Sequence, residues 1–349
     1  MIHTLQSLRF IFIMLVVLSH YIGSSFDFGG ECGVSFFFML SGFVLSLAYS
    51  ERILKGLFST KPFCVKQWIK IYPLHIITFI IMFALDLRLE KYCEPEAAIA
   101  NLLLLQSWVP ADSFYFVANS PSWFLCDIMF FYVVFSSLNK LILRVDNIRL
   151  YSISLFVFLL YICLMVVLPS SLVNPVLYAN PLTRLLDFII GIILFKLYIS
   201  DKGIALKDKL VKKSSFVVSS MEFSLILLIV VTAIVYPHLQ LRVRTVFIFW
   251  LPIPLTILFF ALSDQSKGVV SRFLQGKTML WLGNISFCLY IIHAPVLRIF
   301  NSISVQVGIS DLTTIHFILF TTILILFSHL TNKFNMAFLS KIRNTNFFK

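Results

Sequence analysis

Residues 151–168 read YSISLFVFLLYICLMVVL, with no charged side chain among them. A run of this length and composition is typical of a helix that crosses a bilayer, which needs about 20 apolar residues. Similar runs occur at 6–25, 32–49, 71–87, 121–138, 181–199, 216–236, 246–263, 279–299 and 313–331. The sequence therefore predicts an all-α integral membrane protein with about ten transmembrane helices.

The composition supports this fold class and argues against a soluble domain. Of 349 residues, 59% are hydrophobic and 13% are charged, whereas soluble domains carry roughly 25% charged residues. The net charge is +12, but the basic residues lie in short loops between the apolar runs, where they indicate topology. We therefore predict the lipid bilayer as a partner and no nucleic acid.

Charge in the loops predicts the orientation of the chain. Basic residues cluster in the loops after the second, fourth, sixth and eighth runs, at 52–70, 140–149, 202–213 and 267–277. By the positive-inside rule, these loops and both termini are cytoplasmic; Arg242 and Arg244, in a short outer loop, are the exception. The apolar run 97–108 is too short to cross and is predicted to be interfacial or re-entrant. Without a linker or repeat, 1–349 reads as a single membrane domain.

Titratable side chains inside the membrane are the first candidates for function, because each costs at least about 2.5 kcal/mol to insert. His20 follows Arg9 by eleven residues, which places it roughly 16 Å nearer the outer face of the first helix. His293 and Asp127 lie at a similar predicted depth. An imidazole at this depth could act as a general base or simply bond a neighbouring helix.

Other polar residues in the apolar runs have plainer interpretations. Arg184 and Asp187 are three residues apart and are predicted to pair on one helix. Glu222 is expected at the cytoplasmic interface, and His316 and His329 are expected to be structural. The six cysteines show no CxxC or Cys/His ligand spacing, so no metal site is predicted.

Three segments carry motifs that plain membrane helices do not need. The first, GVSFFFMLSGF at 33–43, combines small residues with aromatic ones, a pattern that lets helices approach closely. The second, KQWIKIYPLH at 66–75, is basic and aromatic and lies at a cytoplasmic mouth. In the third, LGNISFCLYIIHAP at 282–295, polar groups recur along an apolar helix.

Together with Arg9 and His20, these segments resemble the acyltransferase-3 family of bacterial membrane O-acyltransferases, from about Leu5 to about residue 300. Two departures are Ser35, where many members have an acid, and Asp127, whose acid is shifted by one position. The resemblance implies essential roles for Arg9 and His20 and places the family's other elements on Ser41, Lys66, Lys70, Ser286, Tyr290 and His293.

The resemblance implies an enzyme that moves an acetyl group from cytoplasmic acetyl-CoA to a hydroxyl of a cell-surface or lipid-linked glycan. His20 would be the general base or a transient acyl carrier, and the bacterial inner membrane would be its location. A separate periplasmic partner could complete the transfer. The expected helpers of His20 are Arg9, Ser41, Asp127, Tyr290 and His293. The expected donor-binding residues are Arg9, Lys61, Lys66, Lys70 and Tyr72.

Two other interpretations remain open at this point. A transporter or flippase of a lipid-linked sugar would use the buried histidines and Asp127 as a proton relay. Such transporters are often built from internal repeats, and none is visible in the sequence. A structural membrane scaffold would leave the outer-half polar groups without a role.

Overall fold

The computed structural model of the chain describes residues 2–91, 93–308 and 313–344, and every regular element in these ranges is a helix. The predicted all-α fold class is confirmed. The first eight α-helices are α1 (His3–Ile22), α2 (Asp27–Leu54), α3 (Thr60–Arg88), α4 (Pro95–Leu102), α5 (Asp112–Tyr115), α6 (Trp123–Arg144), α7 (Asn147–Val167) and α8 (Pro181–Tyr198). The others are α9 (Asp201–Lys212), α10 (Ser215–Val235), α11 (Leu241–Arg244), α12 (Pro252–Leu262), α13 (Val269–Leu274), α14 (Lys277–Gln306) and α15 (Thr314–Asn344).

Within the described residues, nine segments are long and apolar enough to cross a membrane. They correspond to nine of the ten predicted runs. The remaining run, 181–199, is α8, whose 18 residues include Arg184, Asp187 and Lys196. These three charged side chains within 18 residues set α8 apart from the other nine segments, although it packs extensively against α2 and α6.

In its described residues, the segment between α3 and α6 contains only short helices, none of them long enough to cross a membrane, in agreement with the prediction for 97–108. It consists of α4, a 3₁₀ turn at Gln106–Trp108, α5 and a 3₁₀ turn at Ser120–Ser122. Asn101, Gln106 and Asn119 are fully buried in it. We refer to residues 95–122 as the re-entrant segment.

Glycines set the spacing of the helices that carry the predicted site. A Cβ at Gly42 would collide with the Phe188 carbonyl oxygen of α8, and one at Gly191 with the Met39 carbonyl oxygen of α2. A Cβ at Gly283 on α14 would likewise collide with the Gln6 carbonyl oxygen of α1. Small residues at these contacts let backbones approach closely. As a result, α2 packs closely on α8, and α1 packs closely on α14.

Three polar residues for which the sequence predicted no catalytic role connect helices to one another. Glu222 accepts hydrogen bonds from the backbone N–H groups of Val270 and Ser271, both at 2.9 Å, and so binds the start of α13. His316 contacts the Tyr21 hydroxyl at 2.8 Å, and His329 accepts from Trp281 Nε1 at 3.2 Å. These contacts agree with structural roles.

Candidate active site

An inner cavity of about 380 Å³ lies among α1, α2, α3, α6, α14 and α15. It brings together five of the residues selected from the sequence, from four helices: Arg9 of α1, Ser41 of α2, Lys70 of α3, and Ser286 and Tyr290 of α14. The polar residues that line it are Arg9, Ser41, Gln67, Lys70, Tyr132, Asn284, Ser286, Tyr290 and Asn335. A cavity with several converging polar groups is what a ligand site in a helix bundle requires.

Arg9 places a guanidinium group in the inner cavity. Its Nε is buried and has no hydrogen-bond partner among the described residues. A buried donor without a partner is costly, and an anionic or carbonyl oxygen in the cavity would satisfy it. Arg9 is therefore placed to bind such a group near the N-terminal end of α1.

A second cavity, of about 430 Å³, adjoins the first and forms a basic mouth. Arg52, Lys66 and Lys70 line it, and Lys70 and Leu339 line both cavities. Arg52 was not selected from the sequence as a site residue. It belongs to the basic stretch 52–70 that indicates topology, and only the packing of α2 against α3 shows that it shares a cavity with the lysines.

Two predicted donor-binding residues lie elsewhere. Lys61 is exposed and lines neither cavity. Tyr72 is half-buried and stacks on Trp68, with ring centroids 4.3 Å apart. Both stay near the mouth, on α3, without facing the two cavities.

His20 and His293 are in contact. The ring centroids of His20 and His293 are 4.8 Å apart in an edge-to-face arrangement. His20 is exposed and His293 is fully buried. The close packing of α1 on α14 at Gly283 makes this pairing possible, and it agrees with the similar depths expected from helical rise.

Hydrogen bonds assign the protons on both rings. His20 Nδ1 lies 2.9 Å from the Val16 carbonyl oxygen, and His293 Nδ1 lies 2.6 Å from the Tyr290 carbonyl oxygen. A carbonyl only accepts, so each neutral ring carries its proton on Nδ1 and a lone pair on Nε2. His293 Nε2 is buried without a partner among the described residues. His20 is exposed, and none of the described residues forms a hydrogen bond with its Nε2. That nitrogen can therefore accept a proton, as a general base does.

Tyr290 connects the histidine pair to the inner cavity. Its ring centroid is 5.9 Å from that of His293 and 5.1 Å from that of Phe124, and both Tyr290 and Phe124 line the cavity. Its hydroxyl donates to the Pro121 carbonyl oxygen at 2.6 Å. An aromatic layer thus separates the cavity from the histidines. One turn earlier on α14, the Ser286 hydroxyl is buried without a partner among the described residues.

Asp127 is fully buried, and neither of its carboxyl oxygens has a hydrogen-bond partner among the described residues. Its neighbours Phe124, Leu125 and Ile128 line the inner cavity, but Asp127 does not. The Arg184 guanidinium acts on it electrostatically. The structure therefore places Asp127 behind the cavity wall.

Arg184 and Asp187 form the predicted pair. The Arg184 Nη2 to Asp187 Oδ2 distance is 2.8 Å, and both side chains are completely buried. Ser35 accepts from Arg184 at 3.0 Å, so Ser35 contributes a neutral acceptor where many family members carry an acid. Trp250 Nε1 donates to Asp187 at 2.6 Å. This network joins α2, α8 and the segment before α12.

Comparisons with known proteins find acyltransferases. The sequence model of the acyltransferase-3 family, described as an acyltransferase domain, matches residues 2–331. A curated relative, acyltransferase MdmB of Streptomyces mycarofaciens, is 26% identical over 286 residues, which cover 77% of this chain and 68% of that protein. No solved structure matches the chain.

Proposed function

The chain belongs to the acyltransferase-3 family of membrane acyltransferases, and on that premise we propose that it transfers an acetyl group from acetyl-CoA to a hydroxyl of a glycan. The observation that carries the proposal is the His20–His293 pair, joined through Tyr290 to a cavity that contains Arg9. A base, a cation and a protected chamber are the parts that acyl transfer to a hydroxyl needs.

The donor enters from the cytoplasmic side through the basic mouth. Coenzyme A carries phosphate groups, which charge-assisted hydrogen bonds to cations bind strongly. Lys66 and Lys70 were expected here, and Arg52 adds the one guanidinium among the residues that line the mouth. Its planar fork suits a phosphate better than an ammonium does.

The arm of coenzyme A that carries the thioester would then occupy the inner cavity, where Arg9 lies toward the cytoplasmic end and Tyr290 toward the other. Arg9, Ser41 and Ser286 would donate hydrogen bonds to the carbonyl groups of this arm. The thioester itself would extend past Tyr290 to His20, because His20 lies roughly 16 Å from Arg9 along α1. Lys61 and Tyr72 lie outside the cavity and would act only at the edge of the mouth.

In the reaction, His20 Nε2 takes the proton of the acceptor hydroxyl, and the oxygen attacks the carbonyl carbon of the thioester. The carbon–sulfur bond breaks, and the departing sulfur takes the proton back from the imidazolium. The products are an acetyl ester and free coenzyme A thiol. If His20 itself carries the acetyl group, the same bonds change in two steps through an acyl-imidazole.

His293 supports His20 from the buried side, since its ring packs edge-to-face on that of His20. Asp127 acts at a distance in this proposal, because it lies behind the cavity wall and beside Arg184. The acceptor reaches the exposed His20 from the outer side. We propose a cell-surface or lipid-linked glycan as the acceptor, the bacterial inner membrane as the location, and a separate periplasmic protein as the partner that completes delivery.

The test measures glycan O-acetylation in cells that carry the wild-type gene, no gene, or the His20→Ala variant. Mass spectrometry should find the acetyl ester only with the wild-type protein. His329→Ala is the matched control, because His329 is another membrane histidine but contacts Trp281 instead of forming part of the His20–His293 pair. Equal acetylation with His20→Ala and wild type, at equal protein level, would overturn the proposed role of His20.

The same cells separate transfer from transport. Radiolabelled acetyl-CoA supplied to inside-out membrane vesicles should lose its label to the glycan if the protein is an acyltransferase. A flippase would move the glycan and leave the label on coenzyme A.

A further inference from the structure

The helix that carries His293 contains a proline two residues later. Pro295 lies inside α14 and has no backbone N–H, so it cannot donate to the carbonyl oxygen four residues earlier. That oxygen belongs to Ile291, which is completely buried. A buried backbone acceptor needs a partner from outside the helix.

Asn119 of the re-entrant segment supplies that partner. Its Nδ2 donates to the Ile291 carbonyl oxygen at 3.0 Å and to Thr78 Oγ1 of α3, also at 3.0 Å. A carbonyl oxygen can only accept, so the amide orientation of Asn119 is fixed by this contact. Asn119 is itself completely buried, and water does not compete for its two donors.

A second contact reinforces the first. The Tyr290 hydroxyl donates to the Pro121 carbonyl oxygen of the same re-entrant segment at 2.6 Å. The Tyr290 carbonyl oxygen, in turn, is the atom that holds His293 Nδ1 at 2.6 Å. Residues 119–121 therefore contact the turn of α14 that orients the imidazole of His293.

We propose that Asn119 is a positioning residue: by replacing the hydrogen bond that Pro295 removes, it fixes the bent turn of α14 and aims His293 at His20. This role rests on the proposed function, in which the histidine pair serves acyl transfer. The re-entrant segment thereby becomes part of the catalytic machinery without touching the substrate.

Asn119→Asp tests the role because it keeps size and shape but replaces the amide N–H₂ group, which donates twice, by a carboxyl oxygen that donates once when protonated and not at all when ionised. Asn101→Asp is the matched control: Asn101 is equally buried, and its Nδ2 donates only within the re-entrant segment, to Val117 and Ser122 at 3.0 Å. We expect Asn119→Asp to lower kcat about tenfold or more, since a small misplacement of catalytic groups is that costly. The KM for acetyl-CoA should stay within about twofold, because the basic mouth does not contact Asn119.

A suppressor provides the second measurement and covers the case in which Asn119→Asp does not fold. Pro295→Ala restores an N–H that can donate to Ile291. In that background, Asn119→Ala should cost a much smaller factor in kcat than it does beside Pro295. A contribution of Asn119 through Thr78 alone would give the same factor in both backgrounds.

Three results would overturn the positioning role: normal kcat in a folded Asn119→Asp variant, an equal loss of kcat in Asn101→Asp, or no change of the Asn119→Ala factor beside Pro295→Ala. The His20→Ala variant, measured in parallel, keeps the two proposals apart. An active His20→Ala variant refutes the proposed role of His20. An inactive one with a fully active Asn119→Asp refutes only the role of Asn119.

Discussion

Gly283→Ala should weaken acetyl transfer although residue 283 touches neither substrate nor histidine. The added Cβ would collide with the Gln6 carbonyl oxygen and would lie 2.8 Å from the Gln6 carbonyl carbon and 3.2 Å from Ser7 Cα. All of these are backbone atoms of α1, which cannot rotate out of the way. Relief therefore requires α1 and α14 to separate.

The size of the effect follows from these distances. Ordinary contact begins at 3.4 Å, so the helices must move apart by at least about 0.6 Å, the difference from 2.8 Å. His20 and His293 lie on these two helices, and their 4.8 Å ring separation should grow by a similar amount. A displacement of 1 Å costs roughly a hundredfold in rate, so we expect kcat to fall about tenfold.

Gly283→Ala should also lower the stability of the protein. Alanine gains up to about 1 kcal/mol over glycine in helix propensity, while overpacking a tight contact costs about 1–3 kcal/mol. The net loss is therefore up to about 2 kcal/mol, visible as a lower melting temperature in detergent. The cost of overpacking should exceed the gain in helix propensity, because the colliding atoms belong to the backbone.

The assay measures the transfer of labelled acetyl groups in membranes with equal amounts of protein. Gly276→Ala, at the N-cap of the same helix, is the control, because a Cβ there meets only the Phe273 carbonyl oxygen, at 3.0 Å, within the described residues. Wild-type kcat and wild-type melting temperature for Gly283→Ala would refute the argument that this glycine sets the α1–α14 spacing.

Three further predictions concern the mouth and the buried ion pair. Arg52→Ala should raise the KM for acetyl-CoA several-fold with kcat nearly unchanged, as expected for lost charge-assisted binding; an unchanged KM would remove Arg52 from the donor site. Lys66→Ala with Lys70→Ala should weaken acetyl-CoA binding and flatten its dependence on salt, which titrations at low and high ionic strength would show. Asp187→Leu should destabilise the fold by about 3–5 kcal/mol, because it leaves the Arg184 charge buried and unpaired; thermal unfolding should show a smaller loss when Arg184→Met is added, and equal losses would contradict the pairing argument.

The fold could be predicted largely from the sequence because lipid makes demands that composition reveals. A helix in hydrocarbon must be apolar along its whole length, so nine spanning segments and the short re-entrant segment were visible as runs. The tenth run, 181–199, was also visible and corresponds to α8. It differs from the others because Arg184 and Asp187 form a completely buried pair on it. Their spacing on one helix was enough to predict that pair.

The candidate site could be predicted only in part. Helical rise placed His20 and His293 at similar depths, but rise says nothing about the rotation of a helix about its axis. Rotation decides that Asp127 lies behind the cavity wall and that Tyr72 stacks on Trp68. The role of Asn119 could not be predicted, because its partner is the backbone carbonyl oxygen of Ile291, far along the chain. That oxygen lacks its helical hydrogen bond because Pro295 has no N–H to donate.

The most direct test of the account is the transfer of radiolabelled acetyl groups from acetyl-CoA to cell-envelope glycan by membranes that contain equal amounts of wild type, His20→Ala or His329→Ala protein. The account predicts transfer by the wild type and by His329→Ala, and a loss of at least about a hundredfold for His20→Ala, the size of a typical general-base contribution. Transfer by His20→Ala at the wild-type rate would contradict it.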